Sequence, residues 1–357
     1  MKITRVTAIP VVVPVPIAAV NDPEFFHEPL NRGPTGGFDG EWVADMPFVI
    51  VKMESDDGPV GWGDTPRGKH NETLQEQMAL YLGLSVDEIT PTLTLTDNLS
   101  LRGIHTAALD WAARAGEMGS VHSWELVTAV DGPGTRMTLF LSGCPLRCQY
   151  CQNPDTWLQK DGTPTTLAEI VTRIRRYAGV FRATGGGLTI SGGEPLQQSA
   201  FVARILHEAA AEGIHTAIDT SGYLGRNASD AMLDDVSLVL LDVKSGIPET
   251  YRTVTGRELQ PTIDFGDRLA ARGLPTWIRF VLVPGLTDAE DNVDAVAEIV
   301  SRWSNVERVE VLPFHQMGAS KWDRLGRAYS LAETRAPEPE LIERVRGQFR
   351  ARGLMTY

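Results

Sequence analysis

Apolar and polar positions follow two different schemes along this chain, and the change comes about a third of the way in. In residues 1–118 the stretches TRVTAIPVVV and FVIVKMES are rich in β-branched residues, alternate in part, and read as strands. DDGPVGWGD reads as a turn with a short return strand. ETLQEQMALYLG and SLRGIHTAALDWAARAG have helical periodicity. In the second, Leu101, Ile104, Ala108, Trp111 and Ala112 fall near one face. The pattern predicts an α+β domain over 1–118, with a boundary near Met118–Ser120.

Beyond that boundary strands and helices take turns. TRMTLFLSG, GGLTISGG, HTAIDTSG, SLVLLDVKS, TWIRFVLVPG and VERVEVLPFH are apolar strands, and each precedes an amphipathic helix. This α/β alternation predicts a parallel sheet covered by helices, either an incomplete barrel or an open doubly wound sheet. Cys144, Gly192–Glu194, Asp219, Asp242, Lys244 and His315 stand at the C-terminal ends of these strands. In a parallel barrel those ends share one mouth.

Composition narrows the picture. The 357 residues suit two domains, and 42% hydrophobic residues supply a sizeable core. No run of 18 apolar residues occurs, so no membrane span is expected. The apolar N-terminus has prolines at 10, 14 and 16 and lacks a basic region followed by a cleavage site, so a cytoplasmic protein without a signal peptide is expected. The net charge is −13: residues 1–118 hold 8 basic against 17 acidic residues (−9), and the remainder 25 against 29 (−4). Neither half has the basic excess that binding nucleic acid requires.

The 3 cysteines lie within eight residues, Cys144, Cys148 and Cys151 in SGCPLRCQYCQNPDTW. Structural zinc and an ordinary [4Fe–4S] cluster take four protein ligands, so three thiolates leave one metal corner open for a substrate or cofactor. A zinc site completed by a distant histidine is the alternative, although zinc sites usually show a second ligand pair. Some 40 residues on, ISGGEP also ends a strand. Its glycines allow close backbone approach, and Glu194 offers an acceptor to an ammonium group. Asp242 and Lys244, two apart on a strand, share a face and could form only an ion pair. His315 could be a satisfied strand-end histidine.

CPLRCQYC, with Tyr150 before the last cysteine, followed by SGGEP, resembles the radical S-adenosylmethionine superfamily. DGPGTR, CQNPDTW, AIDTSG, LLDVK, WIRFVLVPG and VLPFHQMG narrow the resemblance to the pyruvate formate-lyase activating enzymes, over residues 120–357. The resemblance implies a partial (β/α)6 barrel over 119–357. It implies that Cys144, Cys148 and Cys151 ligate three irons of a [4Fe–4S] cluster and that S-adenosylmethionine chelates the fourth. Tyr150 and Gln152 would meet the adenine side, Gln152 standing where close relatives can carry His. Gly193 and Glu194 would meet the methionine amino group. Val243 falls in the same cofactor-binding stretch as Asp242 and Lys244, and Lys244 and His315 would contact the carboxylate and ribose region. Asp219, Thr220 and Asp242 match a monovalent-cation site, and Asp131 and Gly132 match the loop that meets the substrate peptide.

The implied chemistry is reductive cleavage of S-adenosylmethionine. The 5′-deoxyadenosyl radical so formed takes hydrogen from a glycine Cα of pyruvate formate-lyase. A flavodoxin or ferredoxin would supply the electron. The lack of cysteines elsewhere excludes auxiliary clusters and favours this type over the dehydratase activators. Activation of another glycyl-radical enzyme is the alternative.

Residues 1–118 resemble something else. VTAIPVVVPV, FVIVKMESDDGPVGWGDT and GIHTAALDWAARAG resemble the cap domain of the mandelate racemase/muconate lactonizing group of the enolase superfamily, with Asp64 where Glu is common. The barrel that would bring the catalytic bases and Mg²⁺ carboxylates does not follow, so racemase or dehydratase chemistry is not expected. This half reads as an orphaned cap, either a fusion or gene-model artefact or a docking module. Its Trp111 and alanine face would then stay uncovered.

Overall fold

In the computed structural model, residues 2–16, 42–56, 58–66, 77–89, 99–128 and 130–357 are described. They form two compact units, Met1–Ala115 and Gly116–Tyr357. The expected helix over 72–83 lies partly outside the described residues.

The first unit is α+β. Strands β1 (Ile3–Pro16), β2 (Trp42–Ser55) and β3 (Gly61–Pro66) form an antiparallel sheet in that order, and helix α1 (Leu99–Arg114) packs on β3 and β2. Side-chain-free glycines permit this packing. A Cβ on Gly61 would stand 2.1 Å from the Ala107 carbonyl oxygen and 2.4 Å from Trp111 Cβ. The expectation of an uncovered face is therefore corrected. Ile104, Ala107, Ala108 and Trp111 are buried, and the unit's own sheet meets the helix along that face. Glycines in β3 were legible in the sequence, but their pairing with α1 was not.

The second unit holds an eight-stranded sheet. Its strands are β4 (Met118–Thr128), β5 (Arg136–Leu141), β6 (Thr163–Thr166), β7 (Gly187–Gly192), β8 (His215–Thr220), β9 (Leu238–Asp242), β10 (Thr276–Leu282) and β11 (Val306–Pro313). The order is β11-β10-β9-β8-β7-β5-β4-β6. β5 and β7–β11 pair in parallel, the six expected strands of a partial (β/α)6 barrel. β4 and β6 extend the sheet antiparallel to β5 and β4 respectively. The sequence pattern missed both, because β4 follows directly on α1 and β6 is only 4 residues long.

The covering helices are α2 (Leu167–Thr184), α3 (Ser199–Ala211), α4 (Asp230–Asp234), α5 (Pro248–Thr255), α6 (Gln260–Arg272), α7 (Glu290–Ser301), α8 (Ala319–Arg324) and α9 (Pro339–Ala351). α2 starts on a capping box, Thr166 and Glu169 each accepting the other's backbone N–H, and ends at Gly185 with φ 62°. Odd and even strand positions take different roles. Met137, Leu139, Leu188, Ile190, Ile218, Val239, Leu241, Ile278, Phe280, Val309 and Val311 join the large core that also includes the helices. The alternate positions Thr138, Thr189, Ser191, Asp219, Asp242, Arg279 and Glu310 carry polar groups onto the other face of the sheet.

Candidate active site

The cysteine loop leaves the end of β5 and is held on three sides. The Gly143 N–H donates to the Thr156 carbonyl at 2.6 Å and the Cys144 N–H to Trp157 at 3.1 Å. The Arg147 and Gln149 N–H groups donate to the carbonyls of Thr255 and Val254 at the end of α5. Trp322 of α8 donates its indole N–H to the Cys151 carbonyl at 3.0 Å. Gln152 accepts from the Gly318 N–H at 2.7 Å and donates to the His315 carbonyl at 3.0 Å, tying the loop to the chain after β11.

Cys144, Cys148 and Cys151 are free thiols in an apolar patch with Leu146, Tyr150, Val254, Val283, Phe314 and Leu331. Burial drives all three thiols upward in pKa, Cys148 to about 12, and neighbouring thiols add to the rise at Cys144 and Cys148. Such thiols stay protonated near neutrality and become thiolates only against a metal, which replaces the proton. Among the described residues no three His, Cys, Asp or Glu side chains close on one point that would hold a single ion.

The GGEP turn packs directly on this loop. The Glu194 N–H donates to the Gly143 carbonyl and the Gly193 N–H to Leu141, both at 2.8 Å. Gly192 has φ 119°, and a Cβ on Gly193 would meet the Gly143 carbonyl at 2.3 Å, so the close approach requires glycine. The Glu194 side chain is only 1% exposed. Its Oε1 accepts from Thr220 Oγ at 2.6 Å and the Leu196 N–H at 3.2 Å. Its Oε2 accepts from the Ser221 N–H at 3.0 Å and Ser221 Oγ at 2.5 Å. Burial pushes this carboxyl upward, and the four donors pull it back. Glu194 therefore joins the ends of β7 and β8.

Lys244 lies beyond β9 and pairs with Asp242 at 2.8 Å, with its ammonium 5.6 Å from the Tyr150 ring centroid. Burial opposes its charge, but the Asp242 carboxylate beside it outweighs that cost and holds Lys244 protonated well above the usual range. The side chain of Val243 points the other way, fully buried in the main core, so only its backbone faces the site side. His315 is exposed, its Nδ1 3.4 Å from the Met317 N–H.

One residue that the sequence reading passed over organises the polar face. Arg279 lies within an apolar strand, 8% exposed. Its guanidinium meets Asp219 Oδ2 at 3.2 Å, Asp131 Oδ1 at 3.3 Å and Glu310 Oε2 at 3.3 Å, and it donates to the Val130 carbonyl. Burial opposes the charge, but the three carboxylates hold it firmly. Asp131 is further fixed by Thr138 Oγ donating to Oδ2 at 3.1 Å and Thr189 Oγ donating to its carbonyl at 2.6 Å. Gly132, with φ 123°, lies against the Arg136 side chain. Arginine at an alternate position of TWIRFVLV was the available signal.

Several buried polar atoms face this region without a hydrogen-bond partner among the described residues, namely Tyr150 Oη, Tyr329 Oη and Asp219 Oδ1. Burial pushes Asp219 up to about 6, Arg279 pulling it down and Asp242 adding to the rise. Orphaned groups of this kind beside three thiols are what a bound polar cofactor would satisfy, so the residues fit a cluster with a chelating ligand.

Residues 138–296 match the family model described as the radical SAM superfamily. The pyruvate formate-lyase-activating enzyme of Clostridium pasteurianum is 42% identical over 223 residues, which cover 62% of this chain and 93% of that relative. The chain belongs to the pyruvate formate-lyase activating enzymes of the radical SAM superfamily. Two solved structures are more distant. A domain of a pyruvate-formate lyase-activating enzyme from Bacteroides vulgatus shares 25% identity at a TM-score of 0.40, over 48% of this chain and 98% of that one. The 2-chloromuconate cycloisomerase of Rhodococcus opacus shares 13% at 0.30, over 100% and 80% respectively. At these scores neither adds to the assignment. Membership brings a [4Fe–4S] cluster and S-adenosylmethionine as the cofactors of this radical SAM chain.

Proposed function

We propose that this protein activates pyruvate formate-lyase by generating a glycyl radical on it. The observation that carries the reading is the loop of three clustered thiols, Cys148 buried and Cys144 and Cys151 half-buried, locked against the GGEP turn, in a chain 42% identical to such an activase. With both cofactors bound, the site would supply reductive cleavage of S-adenosylmethionine and, through it, removal of a hydrogen atom from a glycine Cα of the partner.

Cys144, Cys148 and Cys151 would hold three irons, leaving the fourth for the amino and carboxylate groups of S-adenosylmethionine. The Gly193 backbone would receive the amino group, with Glu194 fixing the turn rather than touching the ligand. Lys244 would neutralise the ligand's carboxylate, and the orphaned Tyr150 hydroxyl and Gln152 would border its adenine. The Asp242–Val243 backbone and His315 would line the ribose side. Asp219 Oδ1, with Thr220 and Asp242 nearby, is the group that a monovalent cation would satisfy. Asp131, held by Arg279, and Gly132 would meet the substrate peptide. Burial of Cys148 and of Lys244 supports exclusion of water from a reactive intermediate.

The electron donor would be a flavodoxin or ferredoxin, and the setting the cytoplasm. Among the described residues no helix is long and apolar enough to cross a membrane. The test is anaerobic reconstitution with iron and sulfide, then electron-spin detection of a glycyl radical on pyruvate formate-lyase. The expected result is a radical that appears only with S-adenosylmethionine and all three cysteines. Iron-loaded protein that releases no 5′-deoxyadenosine under a strong reductant would refute the reading.

A further inference from the structure

The chain is acidic overall, yet three exposed arginines surround the outer side of the cysteine loop. Arg147 donates to the carbonyls of Cys144 and Leu146, both at 2.7 Å, and its guanidinium lies 4.9 Å from the Trp157 ring centroid. Arg327 stacks on the same ring at 5.1 Å. Arg257 donates to the Pro145 carbonyl at 2.7 Å and lies 6.0 Å from the Tyr223 ring. Carbonyls and rings hold all three guanidiniums in place without cancelling their charge.

Their neighbours differ. Arg252 is neutralised by Glu258 through two oxygens at 2.7 and 2.8 Å, and Lys321 by Asp155 at 3.2 Å. Among the described residues, Arg147, Arg257 and Arg327 have no carboxylate within ion-pair distance. Surface arginines left unpaired, fixed in place and gathered around a redox-capable loop form a positive collar with free valence for an anionic partner.

The sidedness of the loop says which partner. Tyr150, Asp242, Lys244 and the GGEP turn occupy its inner side, which the proposed function assigns to S-adenosylmethionine. An electron carrier that is itself a protein has only the outer side to approach. We infer that the Arg147–Arg257–Arg327 collar is the docking surface for an acidic one-electron carrier protein, which loses one electron as the cluster gains one. This rests on the reading of the site as a [4Fe–4S] centre.

The test uses the full-length chain with its cluster reconstituted, and the double variant R257Q/R327Q. Arg147 is left in place because it also holds the loop carbonyls. Cluster reduction is followed by stopped-flow bleaching with two reductants, a bacterial flavodoxin in its hydroquinone form and photoreduced 5-deazaflavin. The flavodoxin rate should fall about tenfold or more in the variant at low ionic strength. Added salt should slow the native chain more steeply than the variant, and R257K/R327K should recover most of the rate. The deazaflavin rate should not change. Equal losses with both reductants would assign the arginines to the loop's own integrity and overturn the docking role. So would an unchanged flavodoxin rate with an unchanged salt slope. Failure of the functional reading itself would show in the native chain, which would then hold no cluster to reduce.

Discussion

Thr220 donates its hydroxyl to Glu194 Oε1 at 2.6 Å, joining the ends of β8 and β7 beneath the cysteine loop. With Ser221 and the Leu196 N–H it completes four hydrogen bonds to a carboxylate that has no contact with solvent to spare. Glu194→Gln would set an amide donor against these donors. A buried mismatch of this kind costs about 1–3 kcal/mol. The expected outcome in anaerobic calorimetry is a Tm lowered by roughly 3–10 °C. An unshifted Tm would mean that the carboxylate is not needed inside the turn and is free for a ligand.

Arg279 holds three carboxylates at once, so its loss leaves several buried negative charges. Arg279→Met should destabilise the chain by about 3–5 kcal/mol at neutral pH. The deficit should shrink on acidification. Asp219 already titrates at about 6, above its ordinary value of 3.8. A raised carboxyl binds its proton in the folded state first, so stability falls as pH rises through that window, and losing the arginine steepens the fall. Urea midpoints at pH 7 and 5 measure this. A deficit of the same size at both would contradict the role.

His215 faces a permanent cation, its Nδ1 3.3 Å from Arg136 Nη1. Burial first, and Arg136 second, hold its pKa below 6.5. A depressed histidine keeps its contribution above the unfolded value and loses it as pH falls below 6.5, where the unfolded chain gains the proton first. His215→Gln should therefore lessen the acid loss, by at most about 1.4 kcal/mol per pH unit. Identical acid profiles for the two chains would remove His215 as a source.

The second unit contains the whole cysteine loop, the GGEP turn and the complete eight-stranded sheet. A truncated chain of residues 116–357, which keeps all of β4, should fold, bind its cluster and activate the partner at a rate close to that of the full chain. A truncation that carries the cluster but cannot activate would assign the N-terminal unit a part in partner recognition.

Much of this was written locally. The spacing of Cys144, Cys148 and Cys151, the SGGEP turn, and six strands each followed by a helix are short-range patterns, and short-range patterns survive in a single sequence. The Asp242–Lys244 pair was likewise legible, because residues two apart on a strand share a face. Tertiary structure alone decided the rest. It made Glu194 an internal tie, and it brought Asp131, Asp219 and Glu310 to one guanidinium. It seated Trp322 on the Cys151 carbonyl from 171 residues away, and it covered the Trp111 face with β2 and β3. Each of these depends on strand order and register, and an alternation of period two is the same for every register that keeps a face inward.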